Sequence, residues 1–105
     1  MNKIDEKFID YIKGIKNLCS DGHYDIIKYL YYKYGIDNTP LISGFCESFY
    51  NGHYNICDFL LDKNTVIADL LNFNLDKLIS KYQLEGNNKA LVWLLDYKNK
   101  FINKI

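Results

Sequence analysis

Apolar residues recur along the chain in steps of three and four, in short blocks parted by glycines and turn residues. Ile4, Phe8, Tyr11, Ile12, Ile15, Leu18 and Cys19 mark one buried stripe on a helix over about residues 4–20. Asp21-Gly22 ends it, because glycine accepts the left-handed backbone that closes a helix. Ile26, Ile27, Leu30, Tyr31 and Tyr34 predict a second helix, stopped by Gly35. In Asp37-Asn38-Thr39-Pro40, Thr39 suits an N-cap and Pro40 the first helical position. A third helix then runs to Asn51 and stops at Gly52. The fourth carries Ile56, Cys57, Leu60 and Leu61. Beyond Asn64, Val66, Ile67, Leu70 and Leu71 predict a short helix, and Leu75, Leu78, Ile79 and Tyr82 another. Leu91, Trp93, Leu94 and Leu95 supply the last. Strand-like alternation is missing, so the expected fold is all-α, built from short antiparallel helix pairs with tight turns.

The blocks also resemble one another. Gly22-His-Tyr-Asp-Ile-Ile-Lys-Tyr-Leu returns thirty residues later as Gly52-His-Tyr-Asn-Ile-Cys-Asp-Phe-Leu. A weaker third copy starts at Gly86, followed by Asn-Asn-Lys-Ala-Leu-Val-Trp-Leu-Leu. Gly22, His23, Gly52, His53 and Gly86 are therefore expected to be structural turn residues. One hairpin of this kind cannot bury its apolar stripe alone, so copies must stack.

Those residues carry a family resemblance. The run Gly22-His23-Tyr24-Asp25-Ile26-Ile27-Lys28-Tyr29-Leu30, then Gly35-Ile36-Asp37 and Thr39-Pro40-Leu41, resembles the ankyrin repeat. The likeness is clear over residues 15–64 and weaker over 75–97. Its flavour is that of the degenerate ankyrin proteins multiplied in giant viruses and amoebae. The resemblance implies a single domain, residues 1–105, forming a short solenoid of about three repeats near 5–36, 39–64 and 66–100. It also implies a protein–protein interaction module whose first helices line the concave face. On the third helix, Phe45, Ser48 and Phe49 then fill core positions. Glu47, Tyr50 and Asn51 are left toward a partner.

Composition narrows the classes further. Of 105 residues, 49% are hydrophobic and 16% aromatic, which excludes a disordered chain. Thirteen lysines balance thirteen acids with no arginine, so neither nucleic acid nor an anionic membrane is an expected partner. Lys, Asn, Ile and Tyr are abundant while Arg, Pro and Ala are scarce, the signature of an AT-rich coding sequence. Much of the tyrosine content, including Tyr29, Tyr31, Tyr32 and Tyr34, is expected to be drift of that kind. No run of about 18 uncharged apolar residues is present to span a membrane. Three cysteines, an odd number without close pairing, fit a reducing compartment, so the expected location is the cytoplasm, the host's if the source is viral.

Candidate chemistry is thin. Cys19, Cys46 and Cys57 with His23 and His53 lack the paired spacing of a zinc site, so no metal is expected. Cys19 and Cys57 fall on apolar stripes, the place of inert thiols. Asp58 and Asp62 lie four apart on a helix surface, ordinarily a solvated face. No phosphate cradle or nucleophile elbow occurs, so neither cofactor nor catalysis is expected. The sequence favours a monomeric binding module for a protein of unknown identity. The alternative is a small structural helical protein that associates with itself through its tyrosine-rich helix, without a foreign ligand.

Overall fold

A computed structural model describes residues 3–102; within that range the side chains of residues 3–6, Phe8 and Ile102 are not described. The predicted burial of Ile4 and Phe8 therefore lies outside the described residues. Six helices follow in order: α1 (Lys3–Ser20), α2 (Tyr24–Tyr34), α3 (Asn38–Tyr50), α4 (Tyr54–Lys63), α5 (Thr65–Glu85) and α6 (Asn88–Tyr97). One π-helical turn, Lys98–Ile102, continues α6. Nearly all of the described residues are helical, and no strand occurs among them. It divides into two compact units, Met1–Ile67 and Ala68–Ile105, with the division inside α5.

The first unit holds two helical hairpins, α1–α2 and α3–α4. Helix α1 lies along α3, and α2 meets α4. The two first helices run parallel. Tyr11 on α1 is near the start of α3, where its hydroxyl accepts a long bond of 3.4 Å from the Asp37 N–H. Ser20, the last residue of α1, meets Asn51 at the far end of α3.

Small side chains let these helices approach. Cys19 and Ser48 are fully buried, and Gly44 lies between them on the seam. A Cβ placed on Gly44 would stand only 2.7 Å from the Cys19 sulfur. The buried Ser48 hydroxyl is satisfied within its own helix, donating to the Gly44 carbonyl at 2.7 Å. Larger residues fill the flanks: Ile15 from α1, and Leu41, Phe45 and Phe49 from α3. The second helices pack differently, around one aromatic ring. Phe59 of α4 receives Tyr24, Tyr31 and Tyr32 of α2 edge-on, with centroids 5.9, 5.6 and 6.0 Å away.

In the second unit, Leu71, Leu75 and Tyr82 of α5 and Ala90, Leu94 and Tyr97 of α6 are buried. The Tyr97 hydroxyl donates to Asn72 across the pair. Lys98 reaches Asp76 at 3.7 Å. Trp93, Tyr97 and Phe101 form an aromatic ladder at i, i+4 and i+8, with centroid spacings of 5.9 and 5.0 Å.

Three local expectations need correction. The two short helices expected between Val66 and Tyr82 are one helix of 21 residues. Asn72-Phe73-Asn74 contains no glycine or proline to break it, and Asn74 turns its amide onto the Leu70 carbonyl at 2.8 Å. Thr39 is not the N-cap of α3. Asp37 holds that place, with its carbonyl accepting the first helical bond from Leu41, and Pro40 is the third helical residue. Proline is tolerated there because the first-turn N–H groups have no intrahelical partner. The stripe of α2 is also narrower than its periodicity suggests. Ile27 is fully buried, whereas Ile26 is 45% and Tyr34 70% exposed.

The seam can be tested directly. Gly44→Ala gains up to about 1 kcal/mol of helix propensity. The methyl must nevertheless enter the space of the Cys19 sulfur, and overpacking of this kind costs about 1–3 kcal/mol. Thermal unfolding followed by circular dichroism should show net destabilisation. Adding Cys19→Ala should recover part of it, and a Gly44→Ala variant as stable as the parent would refute the close approach.

Candidate functional site

The three glycine turns are built alike. The N–H of His23 donates to the Leu18 carbonyl at 2.9 Å, and that of Gly22 to Cys19 at 3.2 Å. In the second turn the N–H of His53 reaches Ser48 at 2.8 Å and Gly52 reaches Phe49 at 3.2 Å. In the third, Asn87 reaches Tyr82 at 3.0 Å and Gly86 reaches Gln83 at 3.2 Å. This is the Schellman pair of bonds, which satisfies terminal carbonyls only if the penultimate residue has positive φ. Gly22, Gly52 and Gly86 have φ of 80, 78 and 71°. The following residue then starts the next helix, its carbonyl accepting from Ile27, Cys57 or Leu91 four residues on. At the third turn the Asn87 side chain also accepts from the Ala90 N–H at 3.2 Å.

The histidines of the first two turns differ. His23 is exposed. The His53 ring lies against Gly22, and its Nε2 is 2.9 Å from the Ser20 carbonyl. A carbonyl only accepts, so the ring donates through Nε2–H, and it satisfies a terminal carbonyl of α1. His53, expected as a structural turn residue, thus turns its ring onto the preceding turn. Asn51 adds a second tie, its amide donating to Ser20 Oγ at 3.2 Å and to the Glu47 carbonyl at 2.8 Å.

Those contacts divide the three proposed partner residues. Tyr50 is 77% exposed on the last turn of α3. Glu47 is half-buried. Asn51 is exposed, but its amide is committed to Ser20 and Glu47. Of the three, Tyr50 is thus the side chain most open to solvent, while Asn51 is tied to α1 and to its own helix.

A second surface lies on α2. Tyr29, Tyr32 and Tyr34 are 55, 61 and 70% exposed. Asp25, Lys28, Tyr29, Tyr32 and Lys33 line a shallow depression there. The Lys33 ammonium sits 5.5 Å from the Tyr29 ring and 5.6 Å from that of Tyr34. Lys63 of α4 lies 5.6 Å from the Tyr32 ring and bonds its hydroxyl. That bond and the Asp62 carboxylate hold the Lys63 ammonium above the ordinary lysine value. The tyrosine-rich helix was already the association surface of the alternative reading, and the charged Asp25, Lys28 and Lys33 beside the tyrosines are what the structure adds.

The thiols are poor nucleophiles. Burial pushes Cys19 up to about 11 against a slight opposing bond from Ser48, and it pushes Cys57 higher still. Cys46 is exposed, unlike the other two, and partial desolvation with the Glu47 carboxylate raises it as well. All three are free thiols. Among the described residues no three His, Cys, Asp or Glu side chains converge as a metal site would require, and no helix is long and apolar enough to cross a membrane. The chain matches no protein-family model, no curated protein and no solved structure.

Two outcomes follow from this geometry. Alanine at Gly22 or Gly52 incurs the left-handed penalty of about 1–2 kcal/mol. Space around Gly52 is open, whereas a Cβ on Gly22 would stand 2.7 Å from the His53 ring. Urea unfolding should therefore rank Gly22→Ala below Gly52→Ala by about 1 kcal/mol more, the worth of the displaced hydrogen bond. Equal losses would mean that His53 does not hold the first turn. Separately, a thiol reagent at neutral pH should label Cys46 in the native protein, while Cys19 and Cys57 react only as the chain unfolds. Mass spectrometry of the labelled peptides would read this, and early labelling at Cys19 would contradict the closed seam.

Proposed function

We propose that the chain is a non-enzymatic protein-binding module built from degenerate ankyrin-like hairpins, and that Tyr50 anchors its partner surface. The identical hydrogen-bond pattern at the three glycine turns is the observation that carries this reading. It supports a structural repeat as well as a repeat of letters. The parallel packing of α1 on α3, with α2 on α4, supports stacking of the hairpins within the first unit. Stacked hairpins commit their small and apolar side chains to one another, so what they offer outward is surface for recognition.

Tyrosine suits that surface. It combines a large apolar ring with a polar tip and loses little rotamer freedom on binding. Tyr50 stands outside the core at the end of a first helix, beside the acidic Glu47. Absence of catalysis is supported by the chemistry available: burial raises the Cys19 and Cys57 thiols, which are therefore protonated at neutral pH. Three unpaired thiols also fit a reducing compartment such as the cytoplasm.

The decisive experiment compares two baits. Affinity capture with the parent chain and with Tyr50→Ala, quantified side by side, should identify a partner that the variant loses. Its purified complex should weaken by roughly 1–2 kcal/mol, about tenfold, while the melting curve stays in place because the side chain is exposed. A partner bound equally by both baits would move the site away from the end of α3.

A further inference from the structure

The α2 surface has an order of charges that the partner surface at Tyr50 does not explain. Asp25 stands in the first turn of α2 and Lys33 in the last, with Lys28, Tyr29 and Tyr32 between them. All five are exposed and line one depression. Positions 25, 29 and 33 form one row at a spacing of four, and 28 and 32 form the neighbouring row. Such a pair of rows is what a second helix packs into.

We infer that this face pairs with the same face of a second copy of the chain, the two α2 helices crossing antiparallel about a twofold axis at Tyr29. The charge order is the reason for choosing this occupant. A twofold contact is self-complementary, each residue meeting its counterpart in reverse register. With the axis at Tyr29, Asp25 of each copy stands opposite Lys33 of the other. The two Tyr29 rings meet at the centre of the paired depressions. Among the described residues neither Asp25 nor Lys33 has a salt-bridge partner, so both charges can face a second copy.

Two further features favour a like partner. The chain carries no net charge, so two copies approach without long-range repulsion. The rings are already held in place. Tyr32 is packed edge-on to Phe59 and Tyr31, at 6.0 and 5.4 Å, and Lys33 is poised over Tyr29. Ordering them on association therefore costs little. An acidic peptide is a weaker fit, since Asp25 stands within the depression and would repel it. The contact is small, one helix from each copy, so a dissociation constant of roughly micromolar to a few hundred micromolar is expected. This departs from the monomer that the sequence alone favours. It leaves the partner surface on α3 free, because that surface belongs to a different helix.

Sedimentation equilibrium on the full chain tests the inference. The parent should form dimers reversibly over that concentration range. Asp25→Lys and Lys33→Glu should each weaken dimerisation by about tenfold or more, because each places like charges opposite one another twice. The combined Asp25→Lys/Lys33→Glu chain restores opposite charges in reversed order and should return to within about threefold of the parent. Tyr29→Ala, which alters no charge, should also weaken the dimer. Circular dichroism melts confirm that each variant is folded before it is compared. A parent that stays monomeric throughout, single variants that dimerise like the parent, or a double variant that fails to recover would each overturn the antiparallel pairing. So would a strictly monomeric chain that binds a glutamate-rich peptide through Lys28 and Lys33.

Discussion

The close parallel contact of α1 with α3 is the constraint on which the first unit depends. It exists because three consecutive steps along the seam are small: Cys19, Gly44 and Ser48. A tightly packed interior does not relax around an added methyl group, so this spacing is fixed by side-chain volume rather than by hydrogen bonding. The hydrogen bonds come after it. Once the helices lie this close in parallel, the ends of α1 and α3 arrive side by side, and His53 and Asn51 can reach Ser20. A wider seam would carry that turn out of reach and expose the terminal carbonyls of α1 to water.

The order of these dependencies explains which parts of the fold were legible in the sequence. The glycine turns were legible because positive φ is a local demand, and glycine meets it at almost no cost. The burial of Cys19 and Cys57 followed from their place on apolar stripes. The continuity of α5 was not legible. Apolar residues fall at Leu70, Leu71, Leu75, Leu78 and Ile79, and the polar run between them looks like a break when only periodicity is weighed. Asparagine is a weak helix former, but it does not stop a helix whose neighbours continue it.

The candidate surfaces were legible in a different degree. Exposure of Tyr50 follows from helical phase once Phe45, Ser48 and Phe49 are assigned inward. The commitment of Asn51 does not, because its partner Ser20 lies thirty-one residues away and only the fold brings them together. The same is true of His53. A histidine in a turn offers two ring nitrogens to whatever comes near, and sequence spacing is silent about a neighbour in another hairpin.

A physical distinction between the two helix layers follows. The first helices meet through small residues at short range, which leaves large side chains such as Tyr50 no room in the seam and turns them outward. The second helices meet through the Phe59 ring, a bulky spacer that three tyrosines surround edge-on. Only part of each of those tyrosines can face one ring. Tyr32 therefore buries an edge against Phe59 while remaining 61% exposed, and Tyr29 and Tyr34, which have no place around it, take lysine ammonium groups instead. The abundance of tyrosine thus has a definite physical consequence on α2: aromatic faces presented outward, each held in place by the layer beneath or by a neighbouring cation.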